Sequence, residues 1–195
     1  MLDLVSIAII DCQSSKTGHI QAAMERLQCK VDLILLKDAN QCHFQNYQGV
    51  IISGGPYLFT DPENSGLIDL FAFIDQLKIP TLGICLGHQA IGIRHSATIF
   101  KSVERKEQEK IRIHSVHSLV RNLDSICFFE ANHCEGIELP DGFTCLAASA
   151  FYGVEMMACD TKPFYGVQFH PEVSGENGVQ LFKNFLEIIK SAGSL

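Results

Sequence analysis

The sequence predicts an α/β fold in which a mostly parallel central sheet is covered by helices. Short apolar runs in the first half are typical of buried strands, and amphipathic stretches with helical spacing alternate with them. Strands joined by helices form right-handed βαβ units, whose parallel sheet is buried on both faces. The second half contains a series of short strand patterns, which predict a smaller mixed or antiparallel sheet.

The elements of the first half follow from this alternation of two periods. Apolar runs predict strands at residues 4–10, 31–36, 49–53 and 81–84. Apolar residues at helical spacing predict helices at residues 17–27 and 67–77, and Pro80 ends the second of these. A further helix is expected to begin at Leu86, directly after the fourth strand.

The elements of the second half are shorter and more closely spaced. Six strand patterns follow Ser96, and their sequences are SATIFKSVE, KIRIHSV, SICFFEA, FTCLAAS, YGVEMMAC and FYGVQF. The sequence LPDG marks a turn between two of them. The final pattern, GVQLFKNFLEII at residues 178–189, predicts an amphipathic helix.

Length and charge limit the possible functions. A chain of 195 residues with 47% hydrophobic residues can form one sizeable core, so we expect a single domain over residues 1–195. Its formal charge of -7 argues against binding to nucleic acid. The apolar opening has no basic segment and soon becomes polar, short of the roughly 20 apolar residues of a membrane helix. We therefore expect a soluble protein with no membrane partner.

The cysteines and histidines indicate neither a disulfide framework nor a metal site. The eight cysteines are scattered and include no C-x-x-C pair, so reduced thiols in a cytoplasmic protein are expected. His114 and His117 are spaced as H-x-x-H, but a strand would direct the two rings to opposite faces and no third ligand is evident nearby. We expect no bound metal and no cofactor.

The stretch TLGICLGHQAIG, which begins at Thr81, contains the most reactive candidate side chain. Cys85 lies between Gly83 and Gly87 where the fourth strand gives way to the helix. The pattern G-x-C-x-G is the cysteine form of a nucleophile elbow, in which small residues allow a tight turn that exposes the nucleophile. The N-terminus of the following helix favours the thiolate form. An ordinary glycine-rich packing turn is the alternative.

A cysteine nucleophile requires a base and a group that orients this base. In the sequence YGVQFHPEV, His170 and Glu172 directly follow an apolar strand. Residues i and i+2 of an extended chain project to the same side, so the Glu172 carboxylate can reach the His170 ring. A structural turn after the strand is the alternative for this stretch taken alone.

A glycine pair ends another predicted strand, in the sequence IISGGP at residues 51–56. Glycines allow backbone N–H groups to approach a ligand closely. One N–H group from this loop and that of Leu86 are candidates for a two-donor oxyanion hole. A simple turn before Pro56 is the alternative.

Taken together, SGGP, GICLGHQ and YGVQFHPEV resemble the class I glutamine amidotransferases over nearly the whole chain. The resemblance implies a flavodoxin-like fold and a glutaminase reaction. It implies that Cys85 attacks the side-chain amide of L-glutamine, that His170 acts as general base and acid, and that Glu172 orients His170. It also implies that Gly55 and Leu86 supply the oxyanion-hole N–H groups.

The resemblance implies further, weaker candidates for holding glutamine. Gln89 lies one helical turn beyond Cys85, and Gly54 precedes the proposed oxyanion donor. Asn132 and Cys134 belong to the segment ANHCEG, which occupies the place of a characteristic family loop.

Within the family, the sequences LPDGFTCLAAS and VQFHPEVSGENGVQLFKNF are most similar to the glutaminase subunit or domain of GMP synthetases. The opening loop DCQSSKTGH, the turn RHSATI and the segment NHCEG depart from that type, so the ammonia acceptor is not fixed by the resemblance. The chain has no P-loop motif for ATP, so an ATP-dependent synthetase on another chain is the expected partner. The alternatives are an independent γ-glutamyl peptidase or hydrolase and a non-catalytic regulatory protein on the same fold.

Overall fold

The structure is a computed structural model that describes residues 4–193. The first three residues of the predicted opening, and the last two of the predicted domain, lie outside this range. The strands are β1 (Ser6–Asp11), β2 (Lys30–Leu35), β3 (Gly49–Ile52), β4 (Thr81–Ile84), β5 (Ile99–Arg105), β6 (Gln108–Ile113), β7 (Ile126–Glu130), β8 (His133–Ile137), β9 (Phe143–Ala148), β10 (Met156–Cys159) and β11 (Phe164–Val167). The α-helices are α1 (Thr17–Arg26), α2 (Leu36–Ala39), α3 (Leu86–Arg94) and α4 (Gly175–Ala192). The predicted α/β fold is confirmed.

Nine strands form one sheet in the order β2-β1-β3-β4-β11-β10-β9-β6-β7. The first five are parallel to one another, and the strands from β11 to β7 pair antiparallel. Strands β5 and β8 form a separate two-stranded antiparallel sheet. The strands of the second half therefore serve two purposes, because most of them extend the main sheet and two form the small one.

Helices cover both faces of the parallel strands. In β1, Ile7 and Ile9 belong to one buried cluster, whereas Ala8 and Ile10 belong to the other. The first cluster includes side chains of α1 and α4, and the second includes those of α3 and of the helix at residues 67–76. Burial on both faces explains why these strands read as continuous apolar runs.

The segment predicted as a helix at residues 67–77 forms a 3-10 helix, Leu67–Gln76. The Phe73 N–H donates to the Asn40 carboxamide oxygen at 2.8 Å, and the Asn40 amide nitrogen donates to the Asp69 carbonyl at 2.9 Å. In an α-helix this N–H and this carbonyl would bond to each other, because they lie four residues apart. The Asn40 side chain therefore takes the place of an α-helical hydrogen bond.

Strand β8 was not among the predicted elements. Its sequence, HCEGI, has few strand-favouring residues, and it forms because it pairs with β5.

None of the helices within residues 4–193 combines the length and the hydrophobicity that a membrane crossing requires.

Candidate active site

Cys85 lies at the sharp turn between β4 and α3. Its backbone angles are φ 50° and ψ -104°, an uncommon conformation for a residue with a side chain. A Cβ atom on Gly83 would collide with the backbone of Gly87, and one on Gly87 would collide with the carbonyl oxygen of Ile52. Both glycines of the predicted elbow are therefore required by close backbone packing.

Strand β11 brings His170 to the elbow. Val167 pairs with Ile84 in the parallel sheet, and the Cys85 N–H donates to the Val167 carbonyl at 2.8 Å. Three residues later, the His170 N–H donates to the Glu130 carbonyl at 2.8 Å. The carboxyl ends of neighbouring parallel strands thus carry the cysteine and the histidine to the same edge of the sheet.

His170 and Glu172 form a buried pair. The His170 Nδ1 and the Glu172 Oε1 lie 2.7 Å apart, and their side chains are 4% and 0% exposed. Burial alone would lower the pKa of His170, but the interactions with Cys85 and Glu172 outweigh it and raise the pKa to about 10. This arrangement favours an imidazolium ring between a sulfur atom and a carboxylate.

Gly54 lies beside both the histidine and the cysteine on one side of the site. A Cβ atom at this position would lie 3.0 Å from the His170 Cε1 and 3.5 Å from the Cys85 Cβ. On another side, the Asn132 carbonyl lies 3.9 Å from the Cys85 Sγ. The sulfur is thus surrounded by the His170 ring, the glycine loop and Asn132. Cys85 is only 7% exposed, so the structure corrects the exposure expected from the elbow pattern, because these neighbours cover the side chain.

Gly55 lies against the elbow. A Cβ atom on Gly55 would approach the Leu86 Cδ2 to 2.8 Å and the Cys12 carbonyl oxygen to 2.5 Å. Within residues 4–193, neither the Gly55 N–H nor the Leu86 N–H has a hydrogen-bond partner in the protein. Both predicted donors are therefore unused by the fold.

The weaker candidates have different environments. Gln89 is 3% exposed, and its amide nitrogen donates to the Glu135 carbonyl at 3.1 Å and to the Gln168 Oε1 at 3.3 Å. Asn132 is exposed beside Cys85. Cys134 is half-buried, and burial raises the pKa of its thiol.

Sequence reasoning missed two residues near the site. His133 is buried with its ring against Tyr152, at a centroid distance of 4.6 Å, and burial and the neighbouring His170 lower its pKa to about 4. Glu135 is 1% exposed and binds the loop that follows Gly55. Both residues belong to the sequence NHCEG. Their sequence positions do not show that Glu135 bonds to the loop at Phe59 and Thr60.

His114 and His117 have separate environments. The His114 Nε2 lies 3.7 Å from the Cys145 Sγ, and the His117 Nδ1 accepts a hydrogen bond from the Leu119 N–H. Across the described part of the chain, no three His, Cys, Asp or Glu side chains are grouped to hold a metal ion.

A family model described as glutamine amidotransferase class-I matches residues 8–189. The chain belongs to this family. This chain is 37% identical over 189 residues to a glutamine-hydrolyzing GMP synthase subunit of Methanothermobacter thermautotrophicus. The match covers 95% of this chain and 98% of the relative. The chain is 38% identical to the corresponding subunit of Methanosarcina barkeri over 143 residues, or 72% of each chain.

A solved structure extends this similarity to three dimensions. A protein from Thermoplasma acidophilum that is described as the same kind of GMP synthase subunit superposes with a TM-score of 0.89 at 26% identity. The match covers 100% of the amidotransferase and 98% of that chain. The likeness therefore extends over the antiparallel half of the sheet as well as the parallel half.

Proposed function

We propose that this amidotransferase is the glutaminase subunit of a GMP synthase and that it releases ammonia from L-glutamine for a separate ATP-dependent synthetase. The arrangement of Cys85, His170 and Glu172 at the elbow carries the proposal. The similarity to glutamine-hydrolyzing subunits of GMP synthases over almost the full chain supports the choice of partner. The eight free cysteines support a reducing, cytoplasmic location.

The first half of the reaction breaks the amide bond. The Cys85 sulfur, its proton held by His170, attacks the side-chain carbonyl carbon of glutamine and pushes an electron pair onto the carbonyl oxygen. The N–H groups of Gly55 and Leu86 donate to this oxyanion. His170 then protonates the amide nitrogen, and the carbon–nitrogen bond breaks. Ammonia departs, and the γ-glutamyl group remains bound to Cys85 as a thioester.

The second half releases glutamate. His170, now neutral, takes a proton from a water molecule that attacks the thioester carbonyl. Collapse of the second tetrahedral intermediate breaks the carbon–sulfur bond, and the thiolate and the imidazolium are restored. Glu172 remains ionised throughout and holds the ring in the orientation that both steps require.

The weaker candidates contribute to glutamine binding in different ways; they are Gln89, Gly54, Asn132 and Cys134. Asn132 is exposed beside the sulfur and offers its polar groups to the amino-acid end of glutamine. Gln89 acts from within the protein, because its amide nitrogen is already bound to β8 and to Gln168. Gly54 provides the space next to His170, and Cys134 contributes backbone groups because its thiol is a weak nucleophile at neutral pH.

Coupling to the partner controls the reaction. Free ammonia is protonated in water and can then no longer react with the substrate of the synthetase. Hydrolysis is therefore useful only in the complex. We expect docking to tighten the loops around Gly54, Gly55 and Asn132, because a misplacement of about 1 Å can cost roughly 100-fold in rate. The isolated chain should therefore release glutamate slowly.

The test is a glutamate-release assay with and without the synthetase subunit of a GMP synthase, its nucleotide substrate and ATP. We expect the partner to raise the rate at least tenfold and Cys85→Ser to abolish it in both conditions. A rapid reaction of the chain alone on glutamine or γ-glutamyl peptides, unchanged by the synthetase, would favour the independent hydrolase. The absence of hydrolysis in every condition would favour a non-catalytic protein.

A further inference from the structure

Glu135 binds the loop that carries the proposed oxyanion donor. Its carboxylate accepts hydrogen bonds from the Phe59 N–H at 2.9 Å, the Thr60 N–H at 2.7 Å and the Thr60 hydroxyl at 2.5 Å. Glu135 lies on β8, whereas the loop follows β3, and 75 residues separate Glu135 from Thr60 in sequence. The three bonds therefore join two parts of the fold that meet at the active site.

The loop is fixed at both ends. At its start, the Ser53 hydroxyl accepts from the Cys12 N–H at 2.9 Å and donates to the Gly54 carbonyl at 2.8 Å. At its end, Phe59 and Thr60 are held by Glu135. Between these two points lie Gly54 and Gly55, whose positions determine the oxyanion hole. The Gly55 N–H has no hydrogen-bond partner within residues 4–193, so the two anchored ends, together with packing against Cys12 and Leu86, set its position.

The same residue contacts a second wall of the site. The Glu135 backbone carbonyl accepts a hydrogen bond from the side-chain amide N–H of Gln89, one helical turn beyond Cys85. Directly before β8, the Asn132 carbonyl lies beside the Cys85 sulfur. Glu135, which belongs to β8, thus bonds to both the glycine loop and helix α3.

Among the described residues, the Glu135 carboxylate makes hydrogen bonds only to Phe59 and Thr60. The residue is 1% exposed and has no salt-bridge partner among the described residues. A buried carboxylate is costly unless hydrogen bonds replace the water that it loses. Three donors from one short segment supply that replacement, and charge-assisted bonds of this kind are stronger than neutral ones.

We propose that Glu135 is a positioning residue for glutamine hydrolysis, because it holds the loop of residues 53–60 so that Gly54 and Gly55 fit the glutamine amide. This inference rests on the proposed glutaminase function. It separates two properties of the site. Cys85, His170 and Glu172 do not bond to the Glu135 carboxylate, so we expect them to keep their geometry when this carboxylate is changed, whereas recognition of the amide depends on the loop.

The test compares two reagents that modify Cys85. A diazo-ketone analogue of glutamine requires the amide-binding loop, whereas iodoacetamide requires only the reactive sulfur. In Glu135→Gln, one carboxylate oxygen becomes an NH₂ group that faces a backbone N–H, so the loop loses an acceptor. We expect labelling by the analogue and kcat/KM for glutamine, measured with the synthetase present, to fall about 10- to 100-fold. The iodoacetamide rate should change less than twofold.

Two further variants keep the test informative if Glu135→Gln folds poorly. Thr60 is exposed, so Thr60→Val removes one hydroxyl donor without disturbing the core, and a loss of about 3- to 10-fold is expected. Glu138→Gln is the matched control, because Glu138 is exposed near the end of the same segment and its carboxylate accepts no hydrogen bond in the described protein. The control should retain wild-type rates with both reagents.

The double variant of Glu135→Gln and Thr60→Val provides a final check. Because both changes act on one hydrogen-bonded group, their effects on kcat/KM should be smaller than additive. Equal losses with both reagents would overturn the positioning role in favour of general destabilisation, and unchanged kinetics in Glu135→Gln would also overturn it. A wild type that reacts with the analogue but never hydrolyses glutamine would contradict the proposed function instead.

Discussion

Gly54→Ala tests the spacing between the histidine and the cysteine. The added methyl group would lie 3.0 Å from the His170 Cε1 and 3.5 Å from the Cys85 Cβ. Ordinary carbon contacts are about 3.5–4.0 Å, so the ring must move by roughly 0.5–1 Å. Because a displacement of about 1 Å costs roughly 100-fold, we expect kcat to fall about 10- to 100-fold, or about 1.4–2.7 kcal/mol in the activation barrier.

The stability of the same variant should fall by a limited amount. Gly→Ala stabilises by about 0.4–1 kcal/mol through the unfolded chain, whereas crowding in a packed region costs about 1–3 kcal/mol. We therefore expect a net loss of no more than about 2.6 kcal/mol in the free energy of unfolding. Denaturant unfolding measures this quantity, and glutamate release with the synthetase present measures kcat.

Gly66→Ala is the control for the added methyl group. A Cβ atom on Gly66 meets nothing within 4 Å, and its φ of -94° suits an alanine. It should retain wild-type activity. Wild-type activity in a folded Gly54→Ala protein would refute the reasoning, because the His170 ring would then tolerate displacement without a cost to catalysis.

Three further predictions concern the candidate catalytic pair, His170 and Glu172. His170→Ala should abolish glutamate release, whereas Glu172→Gln should retain residual activity after a loss on the order of 100-fold or more, as measured by steady-state kinetics. Nuclear magnetic resonance of the His170 ring should give a pKa of about 10, and this pKa should fall in Cys85→Ala because the sulfur no longer stabilises the imidazolium. Since this pKa is raised from 6.5, the stabilisation is fully present below pH 6.5 and is lost as the pH rises through about 10. Denaturant unfolding should therefore show the stability difference between wild type and Glu172→Gln shrinking as the pH rises from 6.5 through about 10.

The arrangement of the candidate catalytic residues could be predicted because its signals are local. The elbow is contained in five residues of one strand-turn-helix unit, and His170 and Glu172 are two residues apart at the end of another strand. The pairing of β4 with β11 then brings these short segments together. The elbow pattern also satisfies a strict steric requirement, as the contacts of Gly83 and Gly87 demonstrate.

The missed features depend on distant partners. The apolar spacing of residues 67–77 does not reveal that Asn40, far earlier in the chain, replaces a backbone hydrogen bond and tightens the helix. Strand β8 depends on pairing with β5, and the function of Glu135 depends on donors in Phe59 and Thr60. Such contacts become visible only when the chain is folded.

The role of Cys85 as nucleophile is tested most directly by competitive labelling of all eight cysteines. Burial raises the pKa of Cys12, Cys29, Cys42, Cys127, Cys134 and Cys145, so these thiols should react slowly near neutral pH. A substoichiometric amount of the diazo-ketone analogue of glutamine, followed by peptide mapping, should place the adduct on Cys85. His170→Ala should slow this labelling strongly. Uniform labelling, or an adduct on any other cysteine with Cys85 left unmodified, would contradict the account.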